Sequence, residues 1–318
     1  MLKAHPYLNT LLALLILSGV SIFIGVGQVS LATLWRDPNA LQLLWVSRVP
    51  RTLAALLVGS SIAVAGVIMQ LLVRNRFVEP GTTGTSEAAM LGLLAVTILA
   101  PGWPIIAKML VAAGASLVGI AGFFALTRKL PPDQPLMIPL VGLIYGGILG
   151  AAAMFIAFQA DLIQYLGVWM SGEFSGVLAG RYELLWLAGG LALLAYIAAD
   201  QFTVAGLGHK ASLSLGLRYG QVLALGVVTV ALVSSLVIVT VGILPFIGLV
   251  VPNIVSRLMG DNLRQTLPVV AGMGAGFVLL SDIIGRVVRY PYEIPAGTVF
   301  GVLGAVVFLW LLLRRSHG

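Results

Sequence analysis

The chain has 318 residues, of which 59% are hydrophobic and only 9% are charged, and its mean hydropathy is +1.07. Soluble domains are about a quarter charged, so this composition excludes an ordinary soluble protein and indicates a polytopic membrane protein. The absence of cysteine excludes disulfides and thiolate metal sites, and the net charge of +7 indicates basic cytoplasmic loops before it indicates nucleic acid.

Hydropathy predicts an all-α membrane protein with about ten transmembrane helices in a single domain. With the N-terminus inside, eleven of the 18 Lys and Arg residues fall on the cytoplasmic side, so we expect both termini in the cytoplasm. Residues 161–181 predict a short helix at the outer mouth. The predicted spans are residues 8–26, 50–73, 84–101, 105–127, 136–160, 183–202, 221–242, 244–260, 268–286 and 295–313.

Several arginines lie on the predicted outer side, against the general charge bias. The sequence RVPR at 48–51 opens the second span, and Arg48 and Arg51 lie on one helix face because they are three residues apart. They could anchor the helix in lipid headgroups or form a docking site for an acidic partner. On the ninth span, Asp282 and Arg286 are spaced to form an ion pair.

The second span ends in RNRFVEPGTTG at 74–84, where Pro80 and Gly81 break any helix. Irregular backbone at membrane depth must be buried in protein or line water. We therefore expect this turn to pack inside the cytoplasmic half of the protein, although a plain connection between helices would also fit the pattern.

Small residues recur every four positions in the fifth and tenth spans, a spacing that lets helices approach closely in lipid. Such stripes suit a subunit interface or a pore wall, but they could equally pack against helices of the same chain. The residues are Gly142, Gly146 and Gly150 in the fifth span, and Gly297, Gly301 and Ala305 in the tenth.

Residues 206–220 (GLGHKASLSLGLRYG) form a polar interruption between two apolar spans. The segment is too long for a simple turn and too short for a domain. It predicts a short helix against the cytoplasmic face, where another protein would push on it, or else an ordinary solvated loop.

Five stretches, in order and with the expected spacing, resemble the FecCD family of bacterial ABC-importer permeases. That family carries iron–siderophore complexes, haem and vitamin B12. The stretches are RVPRTLAALLVGSSIAVAGVIMQ at 48–70, RNRFVEPGTTGTS at 74–86, WMSGEFSG at 169–176, GILPFIGLVVPNIVSRLMGDN at 242–262 and EIPAGTVFGVLGAVVFLWLL at 293–312.

The resemblance implies the vitamin-B12-importer-like permease fold, a ten-helix subunit that pairs with a second permease, identical or paralogous, around a translocation path at the dimer axis. It also implies two separate ATP-binding subunits that bind ATP and Mg²⁺, and a periplasmic or lipid-anchored binding protein. The chain itself would need no cofactor. The expected location is the bacterial cytoplasmic membrane.

Individual positions acquire roles by the same resemblance. Arg48, Arg51 and Arg286 match arginines that meet glutamates of the binding protein in the vitamin B12 member. Residues 206–220 match the loop that couples the permease to the ATPase. The family's acidic start to that loop is missing here. The coupling residues are then Gly208, His209, Lys210, Leu215, Gly216, Leu217 and Arg218.

We predict a permease for a ferric siderophore, with haem and vitamin B12 as alternative cargoes. Many members of the family have His at the position of Asn253. The Val-Pro-Asn sequence found here resembles that of a branch that serves catecholate-type siderophores. The sequence has no phosphate-binding G-x-x-x-x-G-K-[ST] loop, so the chain is not expected to be an ATPase. An ion-coupled transporter would carry ionisable residues mid-membrane, and a channel would carry charged rings or a filter sequence. The spans have few such residues.

Overall fold

The computed structural model describes residues 6–25, 38–128, 130 and 137–313, and all regular secondary structure in these ranges is helical. A single 3₁₀ turn, Pro80–Thr82, stands between two of the described helices. The helices are α1 (Pro6–Phe23), α2 (Pro38–Leu43), α3 (Val49–Val73), α4 (Thr85–Leu99), α5 (Ile105–Thr127), α6 (Met137–Gln159), α7 (Ile163–Ser171), α8 (Leu185–Ile197), α9 (Ala199–Gly206), α10 (His209–Ser214), α11 (Tyr219–Val241), α12 (Ile247–Met259), α13 (Leu263–Val288) and α14 (Ala296–Leu313).

Six helical stretches are long and apolar enough to cross a membrane, and the longest runs from Pro38 to Val73. α8 and α9 are together apolar enough for a further crossing, while α4, α12 and α14 are apolar but shorter. The predicted all-helical membrane fold is confirmed, and the exact count of ten spans stays a prediction. Residues 1–5 and 314–318 lie outside the described ranges, so the side on which the termini lie also stays a prediction.

The sixth predicted span, 183–202, is not one straight helix. α8 and α9 meet at Ala198 with a bend of 66°. After the bend, α9 buries Phe202 and Ala205 while it exposes Asp200 and Gln201. Hydropathy reports composition and not direction, which is why the sequence predicted a single span.

The start of the second predicted span also differs from expectation, because helix extends upstream from residue 50 to Pro38. A π-helical turn, Leu44–Arg48, joins α2 to α3. Pro50 has no N–H to donate to the carbonyl of Val46, and that carbonyl instead accepts from the N–H of Ala179 at 2.9 Å. The proline thus sits inside a longer helical stretch whose freed carbonyl is satisfied elsewhere in the chain.

α3 is the central helix, and 72% of the most apolar part of its span is buried inside the chain. Two glycine pairs let neighbouring backbones come very close to it. A Cβ atom on Gly66 would lie 2.1 Å from the carbonyl oxygen of Gly248 in α12, and one on Gly59 would lie 2.4 Å from that of Gly274 in α13. Close approach of this kind drives helix packing where lipid supplies no hydrophobic force.

We expect Gly66→Ala to destabilise the protein by about 1–3 kcal/mol, because the added methyl group forces α3 and α12 apart. Gly190→Ala in α8 is the matched control, since its added Cβ would meet nothing within 4 Å. Thermal unfolding of the two purified variants in detergent measures the difference. Equal melting temperatures would show that the crossing at Gly66 is not tight.

Candidate functional site

Three arginines and two carboxylates form a buried arginine cluster: Arg48, Arg51, Arg286, Asp282 and Glu293. Arg51 Nη2 lies 2.6 Å from Asp282 Oδ1, and its Nη1 lies 2.9 Å from Glu293 Oε2. Arg286 Nη2 lies 2.8 Å from Asp282 Oδ2, which confirms the ion pair expected from their spacing. One carboxylate thus joins α3 to α13. The end of the molecule that holds this cluster is called the outer end below.

The cluster also holds the end of α1. Arg286 donates to the carbonyl oxygens of Ser21 at 2.9 Å and Ile24 at 2.7 Å, and to the hydroxyl of Ser21 at 2.7 Å. Arg48 donates to the same Ile24 carbonyl at 2.5 Å. The last carbonyls of a helix have no partners within it, so these guanidinium groups act as its C-terminal cap.

Burial changes the interpretation of these arginines. Arg48, Arg51 and Arg286 are only 7%, 9% and 2% exposed, so in this conformation they present little free charge at the surface, and their docking role stays a prediction. Their charges are engaged by groups of the same chain. Nearby Arg289 is exposed and lies 5.7 Å from the ring centre of Tyr292. Docking at the outer end stays a prediction, and the three buried arginines would support that surface from within.

The segment 206–220 forms the predicted short helix, α10, at the end of the molecule called the inner end. Buried Ser212 anchors it by donating to the carbonyls of Val204 and Gly208, at 2.9 and 2.8 Å. His209 packs edge-on against Tyr219, with ring centres 5.0 Å apart. The segment's exposed predicted coupling residues are His209, Lys210, Leu215, Gly216 and Arg218, while Leu217 is half-buried and Gly208 is buried.

Gly208 connects the coupling segment to the central helix. Its φ of +95° favours glycine, and a Cβ atom there would lie 2.7 Å from Nη1 of Arg74, the C-cap residue that follows α3. A Cβ atom on Gly206 would similarly lie too close to α3, at 2.9 Å from Cδ2 of Leu71. Movement of the segment would therefore press directly on the end of α3.

A cavity of about 350 Å³ lies between α3, α9, α12 and α13 at the inner end. An ion pair between Arg76 and Asp261, at 2.6 Å, lies on its wall. Asn253 also lines it and donates to the carbonyls of Arg76 and Leu249, at 2.8 and 2.7 Å. Asn253 therefore has a local structural role that links α12 to the turn after α3.

Glu79 caps the start of α12, a role that the sequence did not predict. Its Oε1 accepts from the N–H of Phe246 at 3.0 Å, and the N–H groups of Gly248 and Leu249 also point to the carboxyl group. In the turn that precedes α4, Thr82 and Glu79 form a reciprocal capping box. The turn at 74–84 is thus packed inside the protein, as expected.

Burial away from water raises the pKa of Glu79 to about 7, while the backbone N–H donors act in the opposite direction. The partner of Glu79 is 167 residues away in the chain, so no local pattern could have revealed the contact. The sequence did contain one signal for this role. Glu79 is an acidic residue in a turn that was predicted to be buried, and a buried carboxyl group needs hydrogen-bond donors.

A central groove of about 490 Å³ opens on the side of the molecule between α4, α6 and α7. Most of α6 faces outward, and only 22% of its most apolar part is buried in the chain. The groove is lined by Gly81, Glu87, Met90, Gly142, Leu143, Gly146, Gly147, Gly150, Ala151, Met154, Leu166, Met170 and Ile243.

The two glycine stripes have different surroundings. In α6, Gly142 packs on the carbonyl of Thr82, while Gly146 and Gly150 face Glu87 and line the groove. In α14, Gly297 packs on the Ser171 carbonyl and Gly301 on Pro245, whereas Ala305 is half-buried. These glycines contact other parts of the same chain, and a role at a subunit interface or pore wall stays a prediction.

We expect Asp282→Ala to cost about 3–5 kcal/mol of stability, because it leaves two buried guanidinium groups without their shared carboxylate. The matched control is Asp200→Ala. Asp200 pairs with Arg264 at 2.9 Å, but their side chains are 68% and 53% exposed, so its loss should cost at most about 1 kcal/mol. Thermal unfolding in detergent tests both, and a control as damaging as Asp282→Ala would contradict the assignment.

The model of the FecCD transport family matches residues 11–314. The chain is similar to the petrobactin import system permease protein YclN of Bacillus subtilis, with 44% identity over 304 residues that cover 95% of this chain and 96% of the relative. It is also similar to the ferric-anguibactin transport system permease protein FatD of Vibrio anguillarum, with 38% identity over 310 residues that cover 96% and 98% of the two chains.

Among solved structures, the chain is similar to an inward-facing metal-chelate type ABC transporter, with a TM-score of 0.82 over 97% of this chain and 98% of the other. Sequence identity between the two is 23%, so this likeness concerns the fold. The family match extends over nearly the whole sequence, and relatives at 38% and 44% identity are covered almost end to end. The chain therefore belongs to the FecCD transport family.

Proposed function

We propose that this chain is the membrane permease subunit of an ATP-driven importer of a ferric siderophore. The observation that carries the proposal is the nearly full-length similarity to permeases for petrobactin and ferric anguibactin. The subunit works in the bacterial cytoplasmic membrane with both termini in the cytoplasm. Its partners are a second permease, two ATP-binding subunits and a binding protein on the other side. A catecholate cargo is the finer form of the proposal, suggested by Asn253.

The coupling segment supports an ATPase partner at the inner end. Three large apolar side chains are exposed there, Leu207 at 61%, Leu213 at 53% and Leu215 at 64%, beside the cations of Lys210 and Arg218. Exposed apolar groups outside the bilayer mark interaction sites. ATP and Mg²⁺ are bound by the partner subunits, whose closure pushes α10 against α3 through Gly208 and Arg74.

At the outer end, the arginine cluster fixes the shape of the surface that receives the loaded binding protein. Arg51 and Arg286 hold α1, α3 and α13 together, and exposed Arg289 offers a charge to an acidic partner. Cargo then passes along the central groove, which forms one half of a path completed by the second permease. Glycine and methionine walls suit a bulky cargo, because they offer few strong contacts and adapt their shape.

Uptake by the reconstituted complex tests this function. The permease pair, its ATP-binding subunits and the loaded binding protein are placed in vesicles, and uptake is measured with ferric petrobactin, haem and vitamin B12. We expect ATP-dependent uptake of the ferric siderophore alone, unaffected when proton and sodium gradients are dissipated. Uptake of haem or vitamin B12 instead would contradict the cargo, and gradient-driven uptake by the permease alone would contradict the importer class.

A further inference from the structure

One oxygen of a carboxyl group at the central groove has no hydrogen-bond partner among the described residues. In the part of the chain that the structure describes, Oε2 of Glu87 accepts no hydrogen bond, although the atom is shielded from water. Glu87 lies in the first turn of α4, and its side chain is half-buried between the turn and α6. An unpaired carboxyl group in apolar surroundings costs free energy, and an ionisable residue within a membrane protein's spans marks a functional site.

The side chain of Glu87 packs directly against α6, and the cavity beside it has room for a ligand. A Cβ atom on Gly146 would lie 3.6 Å from Oε2 of Glu87, and one on Gly150 would lie 3.6 Å from its Cγ, so only glycine hydrogens separate the side chain from α6. The cavity of about 490 Å³ falls within the usual range of ligand sites. Three methionines, Met90, Met154 and Met170, come from three different helices and adapt to varied shapes.

A bare metal ion does not fit this site. Glu87 is the only ionisable residue among the described residues that line the groove, and the other lining side chains are glycine, alanine or apolar. Sodium or calcium ions need several oxygen ligands, whereas a single carboxylate suits a cationic or hydrogen-bond-donating group on a larger molecule.

We propose that Glu87 contacts the cargo and favours one that carries a protonated amine. This inference rests on the proposed function. As such a cargo enters the groove, its ammonium group loses hydrogen bonds to water. A hydrogen bond that it donates to the carboxylate of Glu87 replaces one of them. The contact would distinguish cargoes inside the membrane, after the binding protein has made its own selection.

The position of Glu87 in the first turn of α4 has a second consequence. A negative charge there also stabilises the helix through its dipole. That effect is the same for every cargo, so a comparison between two cargoes separates it from direct contact. The test therefore uses two ferric chelates with identical chelating groups, one with a secondary amine in its linker and one with a methylene group in the same place.

Uptake of both chelates is measured with the complete complex in vesicles, for the wild type, Glu87→Gln and Glu87→Ala. We expect Glu87→Ala to lower uptake of the amine chelate about tenfold relative to its methylene counterpart, as loss of a charged hydrogen bond would, with a smaller change for Glu87→Gln. The control is Asp161→Asn, which removes an exposed carboxylate elsewhere and suits the positive φ of 57° at that position. The control should leave the ratio unchanged.

Three results would overturn the inference. An unchanged ratio with retained ATP-driven uptake would remove the cargo contact and leave the proposed function intact. An equal fall for both chelates would assign Glu87 to the helix or to the transport cycle. Loss of the second permease from complexes purified with Glu87→Gln would place the partner of the carboxyl group in that subunit. Failure of the wild type to transport either chelate with ATP would instead contradict the proposed function itself.

Discussion

Hydrocarbon offers no hydrogen-bond partners, so a polar group that the chain takes into the membrane costs free energy unless the chain itself satisfies it. The central helix α3 is where this requirement is met. At one end its Arg51 pairs with Asp282, further along Gln70 donates to the carbonyl of Gly248 at 3.2 Å, and at its end Arg74 lies against Gly208. Residues of α13, α12 and the segment 206–220 thus contact this one helix or the residue that follows it.

The two ends of the molecule use charge differently. The arginine cluster at the outer end is buried, and two of its three ion pairs share the carboxylate of Asp282, so removal of Asp282 leaves charges in a medium that cannot solvate them. The pairs at the inner end, Arg76 with Asp261 and Arg264 with Asp200, are largely exposed and individually weak. A rigid outer end and a loosely tied inner end suit a subunit that is pushed from the cytoplasm.

The class of protein and the general positions of the helices could be predicted from the sequence, because long apolar runs follow directly from the thickness of the bilayer. Pairing of Asp282 with Arg286 and the short helix α10 were predicted from spacing and composition, which are local signals. The bend at Ala198 was not predicted, because the direction of the helix after it depends on which of its side chains pack against the rest of the protein. The burial of Arg48 and Arg51 was not predicted, because their partners, the carbonyl of Ile24 just after α1 and Asp282 on α13, are distant in the sequence.

Glu79 and Glu87 are two acidic residues that differ in their hydrogen-bond partners. They are eight positions apart in one motif-rich stretch, and sequence alone gives no reason to treat them differently. Glu79 accepts hydrogen bonds from backbone N–H groups at the start of α12, whereas Oε2 of Glu87 is shielded from water beside Gly146 of α6 and has no hydrogen-bond partner among the described residues. The first acid holds the start of α12 in place, and the second lines the central groove.

The central claim is that force reaches this subunit through its coupling segment on the cytoplasmic side. Because the chain has no cysteine, a single Lys210→Cys substitution provides a unique label site without further changes. A maleimide that cannot cross membranes should label this position in inside-out vesicles and not in intact cells, and bound ATP-binding subunits should block the reaction. Labelling from the outside, or labelling that those subunits do not reduce, would contradict the claim.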